Sequence, residues 1–193
     1  LPLQIQVHTD FLSPYFWKES IKNKIRVILG KWLVKKADGI RVVSERIKNS
    51  LLSLYPKPYT LDPVAVLPIF VDTEKIKNAP IKTDLHQKYP SRFVILMASR
   101  LSREKNIGLA VAAMWEVIKK HAQTLLLIVG DGPERENLKS QISNLKLQDY
   151  IMIEDWSCDL ASYYKTADLF LLTSNYEGYG RTLVEAAAAD CPI

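Results

Sequence analysis

Apolar positions along this chain change their period again and again, from runs of neighbours to a recurrence every three or four residues. The first pattern marks strands and the second marks helices. Residues 3–7 alternate like a strand, and residues 18–36 have helical spacing. Residues 39–43 form a short apolar run. Ser44 then stands where an N-cap belongs, opening a helix to about Leu54 that Tyr55-Pro56-Lys57-Pro58 ends. Residues 64–67 read as another strand, stopped by Pro68. Residues 69–91 are polar, contain Pro80 and Pro90, and read as a linker with a short helix. A fresh series then opens. The run Phe93–Ala98 predicts a buried parallel strand, Ile107–Lys120 a helix, and Thr124–Val129 a strand ending at Gly130-Asp131-Gly132. Pro133 suits the first position of a helix to about Leu145. Residues 150–153 predict a strand, 160–165 a short helix, 169–172 a strand, and the alanines from 186 to 189 a helix. Such alternation implies doubly wound parallel sheets, which bind ligands at the carboxyl ends of their strands.

The last residues, Pro192 and Ile193, look like the start of one more strand, and a sheet ending there would lack its later members. The expectation is a fragment with material missing at both ends. At 193 residues the chain fits one large domain or parts of two. With 48% hydrophobic and 24% charged residues the composition is that of a soluble globular protein. No apolar run reaches the roughly 18 residues of a membrane span. The first residues carry neither a Met nor a signal-peptide pattern. Two cysteines, Cys158 and Cys191, and three histidines give no metal-ligand cluster and no disulfide framework. This fits a reducing, cytoplasmic compartment.

Charge is uneven. The whole net charge of +5 falls within residues 1–75, and residues 76–193 balance to zero. From Lys18 to Lys57 the chain carries 11 basic and 3 acidic residues, interleaved with Trp17, Ile21, Ile25, Val27, Ile28, Leu29, Trp32, Leu33 and Val34. Two readings stand. One is a helix with one face in the core and a solvated basic face. The other is a basic amphipathic helix lying on an anionic membrane surface. No nucleic-acid-binding motif accompanies the charge, so nucleic acid is not an expected partner.

The most informative stretch is Glu177-Gly178-Tyr179-Gly180-Arg181-Thr182-Leu183-Val184-Glu185. A Gly-rich turn joins a strand to a helix, with a carboxylate at each end. The helix N-terminus offers unpaired N–H groups and a positive dipole end, which suit a phosphate. Carboxylates are poor partners for phosphate and good ones for hydroxyls. Phosphate in the middle with hydroxyls on both sides describes a nucleotide-sugar. This Glu-x7-Glu spacing, preceded by Ala167 to Ser174 (Ala-Asp-Leu-Phe-Leu-Leu-Thr-Ser), resembles the donor-site motif of retaining glycosyltransferases of the GT-B fold, family 4.

A second constellation, Arg100 and Lys105, lies between the strand from Phe93 and the next helix. Two cations at strand ends can hold a diphosphate, the Arg by forked hydrogen bonds and the Lys as a point charge. The pair is similar to the Arg-x4-Lys of the family. Ser99 stands where that family usually has Gly, Ile69-Phe70 replaces the usual Asn-Gly of its linker, and Asp190 replaces a helix-ending Gly. His8 ends a strand at the point where the family places a donor-facing His, with Asp10 close by. Gly130-Asp131-Gly132 is either a family turn or simply a tight turn before a helix. Trp156-Ser157-Cys158 follows a strand, and the resemblance puts this loop beside the nucleotide base. Tyr163 and Tyr164 read as packing residues.

The resemblance implies a GT-B-like α/β fold with two Rossmann-like domains. Residues 1–72 would be the end of the N-terminal acceptor-side domain, and residues 73–193 the first part of the C-terminal donor-binding domain. It implies a metal-independent retaining transfer of a hexose from a nucleotide-diphosphate sugar, with no cofactor and no protein nucleophile. Arg100, Lys105 and the helix start at Gly180, Arg181 and Thr182 would stabilise the departing diphosphate. Glu177 would bind sugar hydroxyls and Glu185 the ribose hydroxyls, while His8 would contact the sugar. Gly178, Tyr179 and Leu183 complete the donor motif. The implied partners are a UDP- or GDP-sugar and a glycan, lipid-linked sugar or small-molecule acceptor. An anionic surface at the inner face of a membrane is a further expected partner. The fragment alone is expected to be inactive. The alternative reading is a non-catalytic nucleotide-sugar-binding or membrane-associated relative.

Overall fold

The short apolar runs pair in parallel in a computed structural model, which describes residues 2–54 and 64–193. The chain divides into two compact units. One comprises Leu1–Phe70 with Asn175–Gly180, and the other Val71–Ser174 with Arg181–Ile193.

In the first unit, β1 (Gln4–Val7), β2 (Gly39–Val42) and β3 (Val64–Val66) form a parallel sheet in that order, with Val7 beside Val42 and Val42 beside Val66. Parallel neighbours need crossover connections. Here α1 (Pro14–Glu19) and α2 (Ile21–Val34) cross from β1 to β2, and α3 (Glu45–Ser53) follows β2. Ser44 accepts from the Ile47 N–H (3.4 Å), as its N-cap position predicts. The Pro-rich stop expected at residues 55–58 lies outside the described residues. The single helix expected over 18–36 is instead broken at Ser20. That residue is extended (φ −159°, ψ 160°) and its hydroxyl accepts from the Asn23 N–H (3.1 Å), so a new helix starts there.

In the second unit the sheet is β6 (Ile151–Glu154), β5 (Thr124–Val129), β4 (Phe93–Ala98), β7 (Leu169–Phe170), all parallel. The helices are α4 (Thr73–Asn78), α5 (Leu85–Lys88), α6 (Ile107–Lys120), α7 (Arg135–Asn144), α8 (Leu160–Thr166) and α9 (Arg181–Ala188). Every residue of β5 is buried. Its side chains alternate between two cores. Leu125, Leu127 and Val129 join Val94, Leu96, Tyr164, Phe170 and Ala186 on one face. Leu126 and Ile128 join Met97, Ile107, Val111, Met114, Leu138 and Ile142 on the other. A strand covered on both faces has no use for polar positions, which is why its sequence reads as a continuous apolar run.

The linker holds two short helices rather than one. Asp72 caps α4 and Asp84 caps α5 by accepting backbone N–H groups. Hydroxyls and an ammonium of α8 fasten the linker. The Lys82 N–H donates to Ser162 Oγ (2.9 Å), the Leu85 N–H to Thr166 Oγ1 (3.2 Å), and Lys165 Nζ to the Lys77 carbonyl (2.7 Å). Pro133 is not the first residue of α7, which starts at Arg135 after Glu134. The reason lies in the preceding turn, whose backbone is tied to the loop after β4. β7 is shorter than expected, yet the Leu171 N–H still donates to the Leu96 carbonyl (2.8 Å), and the Phe170 N–H donates to the Pro192 carbonyl (2.7 Å).

Glu154, at the end of β6, accepts from Lys88 Nζ (2.7 Å), the Tyr89 hydroxyl and the Tyr163 hydroxyl (2.9 Å). Burial raises its carboxyl, but the three donors outweigh burial and hold it below its ordinary value. Burial first, and then Glu154, push the Tyr163 hydroxyl up to about 12. Because the folded carboxyl titrates lower than the unfolded one, its stabilisation is complete above the unfolded value of about 4.3. It fades as pH falls through the folded value. Glu154→Gln is expected to lower stability at pH 7 by about 1–3 kcal/mol and to flatten the acid limb, as read from urea unfolding at several pH values.

Two helices end on left-handed residues that are not glycine. After α7, Lys146 (φ 54°) donates to the Ser143 carbonyl and Leu147 to that of Ile142; after α9, Asp190 (φ 57°) donates to the Ala187 carbonyl and Cys191 to that of Ala186. Both are Schellman ends, where glycine is favoured. Lys146→Gly is expected to stabilise the chain by about 0.5–1 kcal/mol and raise its thermal midpoint by about 1–4 °C in calorimetry.

Candidate active site

Strand order in the second unit fixes where a ligand can enter. Successive strands run outward from β4 to β5 to β6, and the chain then returns to the other side of β4 with β7. The loops after β4 and β7 therefore lead away to opposite sides of β4, the position at which open parallel sheets bind ligands. Arg100 and Lys105 lie on the first loop, and the stretch to Glu185 follows the second.

The loop after β4 is built by backbone contacts. The Ser99 N–H donates to the Val129 carbonyl (3.1 Å), the Leu101 N–H to Asp131 (2.9 Å), and the Glu134 N–H to Leu101 (2.9 Å). Gly130 and Gly132 make this approach feasible: a Cβ on either would overlap the carbonyl oxygen of Ser99 or Leu101. The Gly-Asp-Gly turn thus supports the loop that carries Arg100. Ser99 is buried and its backbone is not in the left-handed region, so the replacement of glycine there is tolerated. Arg100 is exposed, and Lys105 is half-buried in a 3₁₀ turn, Arg103–Lys105. Thr173 joins the two loops, since its hydroxyl lies 3.0 Å from the carbonyl oxygens of both Lys105 and Asn106. The sequence reading missed Thr173, because nothing along the chain places it beside residues nearly seventy positions away.

A cleft of about 920 Å³ opens in the same unit. Arg181, Thr182 and Glu185 of α9 line it, together with Tyr164 of α8, residues 156–160 after β6, and residues of α4 and the linker, including Lys75 and Lys82. Glu185 Oε1 accepts from Arg181 Nε (2.7 Å), and its Oε2 accepts from the Tyr164 hydroxyl (3.1 Å). Burial, then the Glu185 carboxylate, raise the Tyr164 hydroxyl well above its ordinary value, so it remains a donor. Tyr164 also packs edge-on against Phe170, with centroids 5.4 Å apart. It therefore fills the core as expected, and in addition orients Glu185. A carboxylate offers about four acceptor positions, so Glu185 keeps capacity for further donors. Asp159, on the cleft wall, has Oδ1 bound by the Ser162 hydroxyl (2.8 Å), while its Oδ2 is buried with no partner. The cleft contains Trp156, Ser157 and Cys158, as the loop position suggests, but neither Arg100 nor Lys105 is in its lining. Leu183 packs against the core of this unit.

Glu177, Gly178, Tyr179 and Gly180 belong to the first unit. Gly178 sits so close to the end of β1 that a Cβ would overlap the His8 carbonyl oxygen. Its own carbonyl accepts from the Ser44 hydroxyl (3.0 Å). Tyr176 donates to Glu19 (2.9 Å) and stacks edge-on against Phe16 (5.8 Å). Tyr179 packs against the core around Val7, Val34 and Val42. Gly180 (φ 78°) turns the chain into α9. His8 is exposed, with Nε2 3.2 Å from Gln6 Oε1. Asp10 is buried and serves the fold, accepting from Ser50 (3.2 Å) and pairing with Arg46 (3.6 Å). The structure thus joins His8 to Gly178 in one unit, and Arg181, Thr182 and Glu185 in the other.

Among the described residues, no group of three or more His, Cys, Asp or Glu could hold a metal ion, and no helix is long and apolar enough to cross a membrane. Both cysteines are free, Cys158 exposed and Cys191 buried.

The chain is 31% identical over 182 residues to the alpha-monoglucosyldiacylglycerol synthase of Streptococcus pneumoniae, covering 88% of this chain and 40% of that protein. It is 37% identical over 103 residues to the enzyme of the same name from Acholeplasma laidlawii, covering 52% of this chain and 26% of that one. The crystal structure of Anabaena HepE in complex with UDP-glucose superposes with a TM-score of 0.79 at 24% identity, over 99% of this chain and 52% of that one. The chain spans about half of these proteins or less. Its parallel α/β fold is that of solved GT-B glycosyltransferases. The sequence model described as glycosyl transferases group 1 matches residues 81–193, more than half of the chain, which therefore belongs to that family.

Proposed function

We propose that this chain is part of a retaining, metal-independent glycosyltransferase of family 4, which moves a hexose from a nucleoside-diphosphate sugar to an acceptor. The observation that carries this reading is the cleft at the carboxyl end of the second sheet. There a carboxylate, Glu185, is oriented by a neutral phenol and a guanidinium beside the start of an eight-residue helix.

In this reading Glu185 accepts from the ribose hydroxyls, and residues 156–160 border the base. The first N–H groups of α9 and the cations Arg100 and Lys105 stabilise charge on the departing diphosphate. Glu177 binds sugar hydroxyls, and His8 contacts the sugar. Tyr179 and Leu183 serve through their backbone, since their side chains pack into cores. No side chain acts as nucleophile: the acceptor attacks on the face that the diphosphate leaves, and a leaving-group oxygen takes its proton. Positive charge for the leaving group comes from Arg100 and Lys105, so neither a metal nor a cofactor is required. The likeness to synthases named for a diacylglycerol product, and to a protein solved with UDP-glucose, supports a UDP-sugar donor and a lipid-linked acceptor. The location is cytoplasmic.

The test uses the complete gene product. Calorimetry with UDP-, GDP- and ADP-sugars is expected to find one donor. Glu185→Ala should weaken it about 10- to 150-fold, the equivalent of about 1.5–3 kcal/mol for charged hydrogen bonds. A folded protein that binds none of the three sinks the transferase reading. Gly178→Ala is expected to lower kcat/KM for the same donor at least about tenfold, since the added methyl must push the Glu177 loop away from His8. Its circular dichroism should stay unchanged, and steady-state kinetics give the readout.

A further inference from the structure

We infer that Ser44 is a positioning residue of the donor site, whose hydroxyl fixes the loop that carries Glu177. The inference rests on the reading of Glu177 as the carboxylate that binds sugar hydroxyls, and adds the group that aims this carboxylate.

Parallel pairing puts Ser44 within reach of the loop. β1 and β2 run in register with Val7 beside Val42, so Thr9 and Ser44 each stand two residues past this last pair. Residues 175–180 carry neither helix nor strand and belong to the same unit. Within them, Gly178 lies so near the end of β1 that a Cβ would overlap the His8 carbonyl oxygen. Glycine is thus required there, and glycine restrains its own backbone least of all residues. A loop that must place glycine next to a ligand-binding carboxylate needs a restraint from outside. Ser44 Oγ supplies one by donating to the Gly178 carbonyl (3.0 Å). That bond holds the planar peptide unit that begins one residue after Glu177. Tyr176 on one side is bound to Glu19, and Tyr179 on the other packs into the core of this unit. Ser44 grips the backbone between them.

The geometry of Ser44 separates this task from its other one. A serine hydroxyl has one proton to donate and two lone pairs to accept with. As N-cap of α3, Ser44 accepts from the Ile47 N–H at 3.4 Å, which is long beside the usual N–H···O distance of about 2.9–3.0 Å. The donated bond, at 3.0 Å, lies within the range of about 2.5–3.0 Å for O–H···O. Capping alone needs only an acceptor, which Asp or Asn would supply equally well. Holding a carbonyl needs a proton, which an ionised Asp lacks. The bond to Gly178 therefore asks for a hydroxyl at position 44, and the cap does not.

Calorimetry on the complete gene product tests this with UDP-glucose, GDP-mannose and ADP-glucose, each set against its nucleoside diphosphate alone. In the proposed site only the sugar reaches Glu177, so the sugar-bearing ligand alone should sense Ser44. For the donor that binds, Ser44→Ala and Ser44→Asp should each raise the ratio of the nucleotide-sugar Kd to the diphosphate Kd about three- to tenfold, while the diphosphate Kd changes less than about twofold. Ser44→Thr keeps both bonds and should restore the wild-type ratio. Circular dichroism accompanies each variant. Ser44→Asp retains the helix cap, so the test stands even where Ser44→Ala fails to fold. The inference is overturned if Ser44→Asp shows the wild-type ratio, if both Kd values rise together as a merely structural role requires, or if Ser44→Thr does not restore the ratio. A folded wild-type protein that binds no nucleotide-sugar sinks the transferase reading and this inference with it. Wild-type binding with an unchanged ratio in Ser44→Asp overturns this inference alone.

Discussion

Everything at the candidate site depends on β4 being hydrogen-bonded on both sides by parallel strands. β5 pairs with it along its whole length and β7 along two residues. Since β5 and β7 lie on opposite sides, the connections that follow β4 and β7 lead apart, and the sheet cannot close the gap. Backbone pairing thus sets where the loops after β4 and β7 begin, while the cleft itself is walled by α4, α8, α9 and the loop after β6. The two cores on either face then hold the sheet rigid, because each strand side chain is committed to one layer or the other.

What stabilises the loops at this edge is close backbone approach. The turn at Gly130 and Gly132 lies against the loop from Ser99 to Leu101, and Thr173 ties that loop to the chain leaving β7. The same device recurs in the first unit, where Gly178 lies against His8 and Ser44 binds its carbonyl. Backbone groups held in this way keep one orientation. The side chains follow suit: Glu185 is positioned by Tyr164 and Arg181 before any ligand arrives.

The polypeptide contributes Asn175–Gly180 to the first unit and resumes the second at Arg181. The nine-residue motif is therefore shared between units. The neighbours of Glu177 are held by His8, Ser44 and Glu19, and Glu185 is held by Tyr164 and Arg181. One contiguous sequence signature thus answers to two separate packing environments, and a substitution at its first half acts through different neighbours from one at its second.

Period and punctuation determined most of the architecture. The continuous run Phe93–Ala98 specified a buried parallel strand, the alternation specified parallel sheets, and Ser44 specified a helix start. The paired carboxylates and the Arg100–Lys105 spacing pointed to a phosphate and hydroxyls at strand ends. Local signals failed where a non-local bond was stronger. Pro133 does not open α7 because the Gly-Asp-Gly turn is held by the loop after β4. At Ser20 the deciding bond is local instead: its hydroxyl caps a new helix and so breaks the periodic one. Only the tertiary structure decided that Thr173 meets Lys105, that Tyr164 meets Glu185, and that Ile21, Ile25, Ile28 and Trp32 of α2 are exposed. Such contacts join residues far apart in the chain, and periodicity carries no record of them. Amphipathicity tells that a helix has an apolar face, while the burial of Val27 and the packing of Val34 in the core of the first sheet decide which face is left to solvent.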